Sequence, residues 1–235
     1  MLKKSINNTI QPLFHLLYPK SCNSCHQVLM ENEEFICLEC LLYLPKTNYH
    51  HIKENDLEKV FWGRIPFERG MAFLYFKRAG KVQRMLHALK YKSRKDLALH
   101  LGKLYAKETG MDTILNKIDM IIPVPLHENK FLKRGYNQSE EFAKGLASIT
   151  NITLKTDILF RLKESETQTK KTRIQRWENV NDIFYVKDPA VLSNKHILLI
   201  DDVITTGATI EACAQTLLKN PETKLSVLAL AFATK

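Results

Sequence analysis

The spacing of apolar residues changes along this chain and divides it into stretches of different secondary structure. Val82, Met85, Leu86 and Leu89 recur at three- and four-residue intervals, and Leu97, Leu101 and Leu104 repeat that period, so two amphipathic helices are predicted. Ser93 and Asp96 have the spacing of a capping box between them. From residue 119 short apolar runs alternate with helical periods. Met120-Ile-Ile-Pro-Val124 reads as a strand, Ser139 to Ile149 as a helix, and Ile183-Phe-Tyr-Val186 as another strand. His196-Ile-Leu-Leu-Ile200 lacks polar alternation, as a strand covered on both faces should. Ala208 to Lys219 reads as a helix and Leu225 to Phe232 as a last strand. The alternation predicts an α/β fold with an open, mostly parallel sheet and flanking helices. In such sheets ligands sit beyond the carboxyl ends of the strands.

Cysteines, not periodicity, organise the stretch before residue 60. Cys22 and Cys25 form one Cys-x-x-Cys turn, Cys37 and Cys40 a second, with eleven residues between the two. Each turn aims two thiolates at one point, and together they complete a tetrahedral sulfur shell. Zinc is the expected ion; an iron site of rubredoxin type uses the same ligands. A shell closed by four sulfurs has no open position for a substrate, so the metal is expected to fold a knuckle rather than catalyse. The fifth cysteine, Cys213, is expected in the core.

Charge adds a second layer. Of 235 residues 45% are hydrophobic and 26% charged, which excludes a disordered or collagen-like chain. The net charge of +10 points to an anionic partner: nucleic acid, a phosphorylated metabolite or an acidic membrane face. Residues 21–60 carry a net −4, whereas residues 77–107 hold ten Lys or Arg against the single acid Asp96. Lys90, Lys92, Arg94 and Lys95, with Tyr91 and His87 among them, make this segment the expected path for a single-stranded nucleic acid backbone. A pair of solvated helices with a charged wet face is the competing reading. No apolar run reaches the roughly 18–20 residues of a membrane span. The basic start Met1-Leu-Lys-Lys is followed by Asn7, Asn8, Gln11 and His15, which break any signal-peptide core, so a cytoplasmic location is expected.

The most informative chemistry lies in Asp201-Asp202-Val203-Ile204-Thr205-Thr206-Gly207-Ala208-Thr209. These residues stand at the end of an apolar strand and open a helix. Two adjacent carboxylates can accept hydrogen bonds from vicinal hydroxyls, as on a ribose. The threonine hydroxyls and backbone N–H groups of a turn bent at Gly207, with the positive helix end, form a phosphate cradle. Together they describe a site for a sugar phosphate such as ribose 5-phosphate. A strand-turn-helix with incidental threonines leaves the paired carboxylates unexplained.

This segment resembles the loop of type I phosphoribosyltransferases that binds phosphoribosyl pyrophosphate (PRPP). Pro123-Val124-Pro125-Leu126-His127 and Lys133-Arg134-Gly135-Tyr136-Asn137-Gln138-Ser139 narrow the likeness. With Leu89-Lys90-Tyr91 and the four cysteines, they resemble the ComF family of competence-related proteins, in which a zinc module precedes a phosphoribosyltransferase domain. The resemblance implies a zinc-binding module over 1–60 and a phosphoribosyltransferase-like domain over 61–235. It implies Mg²⁺ with PRPP, catalytic roles for Asp201 and Asp202, and a loop from His127 to Arg134 facing pyrophosphate. Gln168 to Asn179 matches the family's mobile loop, except that Lys171 stands where Leu is common. Implied partners are PRPP or ribose 5-phosphate, single-stranded DNA, and other competence proteins such as a DNA-translocating helicase. Three functions follow: a DNA-uptake protein with a PRPP site, a metabolic phosphoribosyltransferase acting on a free base or amine, and a PRPP sensor without catalysis. No residue set reveals the acceptor.

Overall fold

The computed structural model describes residues 19–110, 114–162 and 183–234. The basic start of the chain and the 168–179 stretch lie outside them. Five strands form one sheet in the order β1 (Arg69–Phe76), β7 (Lys224–Ala233), β6 (His196–Ile204), β2 (Met120–Pro123) and β3 (Thr153–Leu154), every pair parallel. The expected open parallel sheet is present. Its strand order places β6, which carries the paired aspartates, in the centre.

Helix α1 (Leu38–Leu42) lies in the cysteine stretch and α2 (Asp56–Phe61) precedes β1. The two amphipathic periods form α3 (Lys81–Tyr91) and α4 (Lys95–Thr109). After β2 come α5 (Glu128–Arg134) and α6 (Gln138–Thr150), and α7 (Ala208–Leu217) follows β6. Successive residues of β6 point to opposite faces. Leu198 and Ile200 enter a core shared with α3, α4, α6 and the cysteine stretch. Ile197 and Leu199 enter the other, with Leu57 and Phe61 of α2 and Ile210, Cys213 and Leu217 of α7. Both faces are dry, which explains the missing polar alternation. Cys213 is fully buried, as expected.

Three expectations change. Ser93 does not cap α4: its φ of 51° lies in the left-handed region, Arg94 is the N-cap residue, and no side chain bonds there. Asp96 Oδ1 instead accepts from its neighbour Leu97 N (2.9 Å) and from Arg94 Nε (3.0 Å). The strand near 183–186 exists as β5 (Phe184–Val186), but it pairs antiparallel with β4 (Leu159–Arg161) outside the main sheet. The stretch from His127 to Arg134 is helical, not a loop, with His127 as N-cap. No helix among the described residues is long and apolar enough to cross a membrane.

Candidate functional sites

The four cysteine sulfurs lie within 4.8 Å of one another, and Cys25 Sγ is 3.7 Å from Cys37 Sγ. Tetrahedral Zn–S bonds of about 2.3 Å would separate the sulfurs by about 3.8 Å. The cluster therefore fits a metal ion with little adjustment. Backbone N–H groups point at the sulfurs: Ser24 N and Cys37 N donate to Cys22 Sγ (3.4 and 3.3 Å), and Cys40 N donates to Cys37 Sγ (3.4 Å). Burial raises the Cys22 thiol, but the amides of Cys37, Cys25 and Ser24 bring it down to about 7, whereas burial pushes the Cys25 thiol up and that of Cys37 up to about 12. Cys22, Cys37 and Cys40 also join the core beneath α3 and α4.

At the carboxyl end of the sheet, β6 continues through Asp201 and Asp202, while its neighbour β2 stops at Pro123 opposite Ile200. The chain leaving β2 is tied back where Val124 N donates to Ile200 O (2.8 Å). Asn137 caps α6 and donates from Nδ2 to Val124 O (2.9 Å), which brings the start of α6 to the aspartates. Ser139 Oγ then donates to Asp201 Oδ1 at 3.2 Å, and Asp202 N donates to the same oxygen at 2.8 Å. The approach of α6 depends on two glycines. A Cβ on Gly102 would lie 2.1 Å from Phe142 O, and one on Gly145 2.1 Å from Leu99 O.

Burial and the adjacent Asp202 carboxylate push Asp201 up from 3.8 to about 7. Asp202 is ion-paired with Lys90 at 2.9 Å. After the aspartates, Thr205, Thr206 and Thr209 are exposed around a turn at Gly207, whose φ is +80°. The first N–H groups of α7 have no acceptor within the helix, and Ala208, Thr209 and Ile210 line a small cavity with Asp201 and the turn. The turn is braced from behind. A Cβ on Gly207 would sit 2.6 Å from the Phe61 ring, and Arg64 Nη1 donates to Thr206 O (3.0 Å) while Nη2 pairs with Glu211.

The other expected site residues are divided. His127 Nδ1 accepts from Asn129 N (3.2 Å) within its own helix cap. Arg134 donates to Gln138 Oε1 (2.8 Å) and its guanidinium carbon stands 6.0 Å from the Tyr91 ring. Of the four basic residues, Lys92 and Lys95 are exposed. Lys90 turns to Asp202, and Arg94 lies over the Phe35 ring of the cysteine stretch at 5.6 Å. Tyr91 is 69% exposed and stacks near His87, with ring centroids 4.7 Å apart.

Comparison with known proteins fits this geometry. Residues 136–234 match the phosphoribosyl transferase domain family. The DNA utilization protein YhgH of Escherichia coli O157:H7 is 27% identical over 212 residues, 89% of this chain and 88% of that protein. Competence protein F of Haemophilus influenzae is 33% identical over 139 residues, 57% of this chain and 58% of its own. Competence protein ComFC of Bacillus subtilis is 33% identical over 100 residues, 43% of this chain and 38% of its own. The chain is thus similar to competence and DNA-utilization proteins, and its residues 136–234 to a phosphoribosyl transferase domain. The matched domain contains Ser139 and the loop Asp201–Thr209. It excludes Phe61, Arg64 and Lys90, which the tertiary structure brings to the same loop. Sequence reasoning missed Phe61, Arg64 and the bond from Ser139, because no local pattern marks residues that meet only through the fold.

Proposed function

We propose that this chain binds PRPP or ribose 5-phosphate at the Asp201–Thr209 loop and single-stranded DNA beside it, in the service of DNA uptake. The observation that carries the reading is two carboxylates side by side at the carboxyl end of a central strand, followed at once by an exposed hydroxyl-rich turn at a helix N-terminus. Asp201 and Asp202 accept hydrogen bonds from the ribose hydroxyls, and the N–H groups of the turn hold the 5-phosphate. An oxygen-only donor set suits PRPP carried as its Mg²⁺ complex, and the ion would supply charge neutralisation to the pyrophosphate group. The two carboxylates stabilise positive charge developing on the ribose ring, so the same residues serve binding and transfer.

DNA is the inferred second ligand because the related proteins are named for DNA utilization and competence. Exposed Tyr91, with His87 and flanking Lys92 and Lys95, offers a stacking ring inside a positive surface, the combination that suits unpaired bases. In this reading the cysteine cluster carries zinc in a structural role.

Titration with PRPP tests the core of the reading. Wild type should bind, and Asp201→Ala with Asp202→Ala together should abolish binding while far-UV circular dichroism stays unchanged. Equal binding by the double variant would move the site elsewhere. Pyrophosphate release measured with and without a single-stranded oligonucleotide then separates a transferase from a sensor.

A further inference from the structure

An anionic sugar phosphate that approaches Asp201 and Asp202 meets like charge. The loop Asp201–Thr209 contains no Lys or Arg to offset it. Arg64, behind the turn, is committed to Thr206 O and Glu211, and Arg134 to Gln138. Among the described residues the ammonium bonded to the aspartate pair is that of Lys90, from the last turn of α3.

Its position is set from two sides. Val82, Met85, Leu86, Ala88 and Leu89 bury one face of α3. Tyr136 Oη, just ahead of α6, donates to Leu89 O, the carbonyl next to Lys90. At the other end Arg84 Nε donates to Ser24 O, between the first two cysteines. The side chains of Lys90 and Asp202 are 26% and 17% exposed, so salt screens this pair less than a fully solvated one.

We propose that Lys90 is a binding residue of the sugar-phosphate site, not of the nucleic acid surface: it offsets the aspartate charge and offers its ammonium to ligand oxygens when the ribose hydroxyls take Asp202. The inference rests on the sugar-phosphate reading above. It deepens that reading by adding a residue that lies outside the loop and outside the matched domain. Lysine suits the task, because its flexible stem lets one point charge change partners within the site.

Isothermal titration with ribose 5-phosphate, and fluorescence anisotropy with a labelled oligo(dT), test this on the full chain. Lys90→Met should remain folded at the titration temperature, as its melting curve will show, and weaken ribose 5-phosphate binding about tenfold or more, the scale of one lost charge-assisted hydrogen bond. Lys90→Arg should recover most of that loss. Oligo(dT) affinity of Lys90→Met should stay within about twofold of wild type, since the ammonium is bonded to Asp202 and not presented to a DNA phosphate. Ribose 5-phosphate binding equal to wild type in Lys90→Met, alongside no binding in Asp201→Ala/Asp202→Ala, would overturn the role of Lys90 alone. Wild-type binding by the double Ala variant would remove the site, and the proposal with it. An oligo(dT) loss as large as the ribose 5-phosphate loss would make Lys90 a DNA-backbone contact and overturn it as well.

Discussion

The cysteine knuckle and the Asp201–Thr209 loop are both short motifs, yet they are assembled in opposite ways. The knuckle draws its sulfurs, and the amides that bond them, from residues 22–40. The loop draws only its hydroxyls and turn from its own residues. Ser139 bonds Asp201 from 62 positions away, and Arg64 bonds Thr206 from 142. Lys90 pairs with Asp202 from a third element. A closed metal shell needs only ligands at the right spacing, because the ion supplies the binding energy. A ligand site at a strand end is electrostatically incomplete until neighbouring elements arrive.

Cys22→Ser should have the largest effect on stability, on the order of 5 kcal/mol or more, because the proposed structural metal would lose a ligand. Elemental analysis together with a melting curve checks it. The cysteines share a core with α3 and α4, so the loss should spread beyond the knuckle. A fall in ribose 5-phosphate affinity matching the fall in stability would break the comparison, making the two regions one cooperative unit.

Gly207→Ala should come next. The new Cβ meets the Phe61 ring at a φ of +80°, so the variant should lose roughly 2–4 kcal/mol and reshape the turn. Chemical denaturation reads the loss, and Phe61→Leu combined with Gly207→Ala should recover part of it. If it recovers nothing, the bracing by α2 is not what constrains the turn.

Asp201 sharpens the contrast through pH. Its folded value near 7 exceeds the ordinary 3.8, so the folded chain holds the extra proton between those values. Stability therefore falls as pH rises from about 4 to about 7, and the cost persists above. Asp201→Asn keeps an acceptor for Ser139 and Asp202 N but cannot ionise. It should be more stable than wild type by about 1–3 kcal/mol at pH 8, with little difference at pH 4. Melting temperatures across that range would contradict this if the two proteins ran parallel.

The smallest effect is expected at Lys92 and Lys95. Replacing both with Glu should leave stability and ribose 5-phosphate binding unchanged and flatten the salt dependence of oligo(dT) binding. For every phosphate no longer neutralised, the slope of log affinity against log salt should shrink by about 0.7. An unchanged slope would leave this charge as a solvated helix face.

Local patterns alone determined the two amphipathic helices, the buried β6, the four-sulfur cluster and the turn at Gly207, because each depends on the spacing of neighbouring residues. The expected capping box failed for the same reason: Ser93 has the right spacing, but its backbone is left-handed and Arg94 takes the N-cap position. Basic density spoke only for average charge, so Lys90, Lys92, Arg94 and Lys95 looked alike. Packing separated them, sending Lys90 to Asp202 and Arg94 to Phe35 while Lys92 and Lys95 remain exposed. The strand β1, which lies between residues of mixed polarity, and the separate β4–β5 pair were likewise decided by tertiary contact. Spacing along a chain specifies which face a residue takes. Which distant charge that face meets depends on strand order and helix approach, here on β6 between β7 and β2 and on the Gly102–Gly145 contact that admits α6.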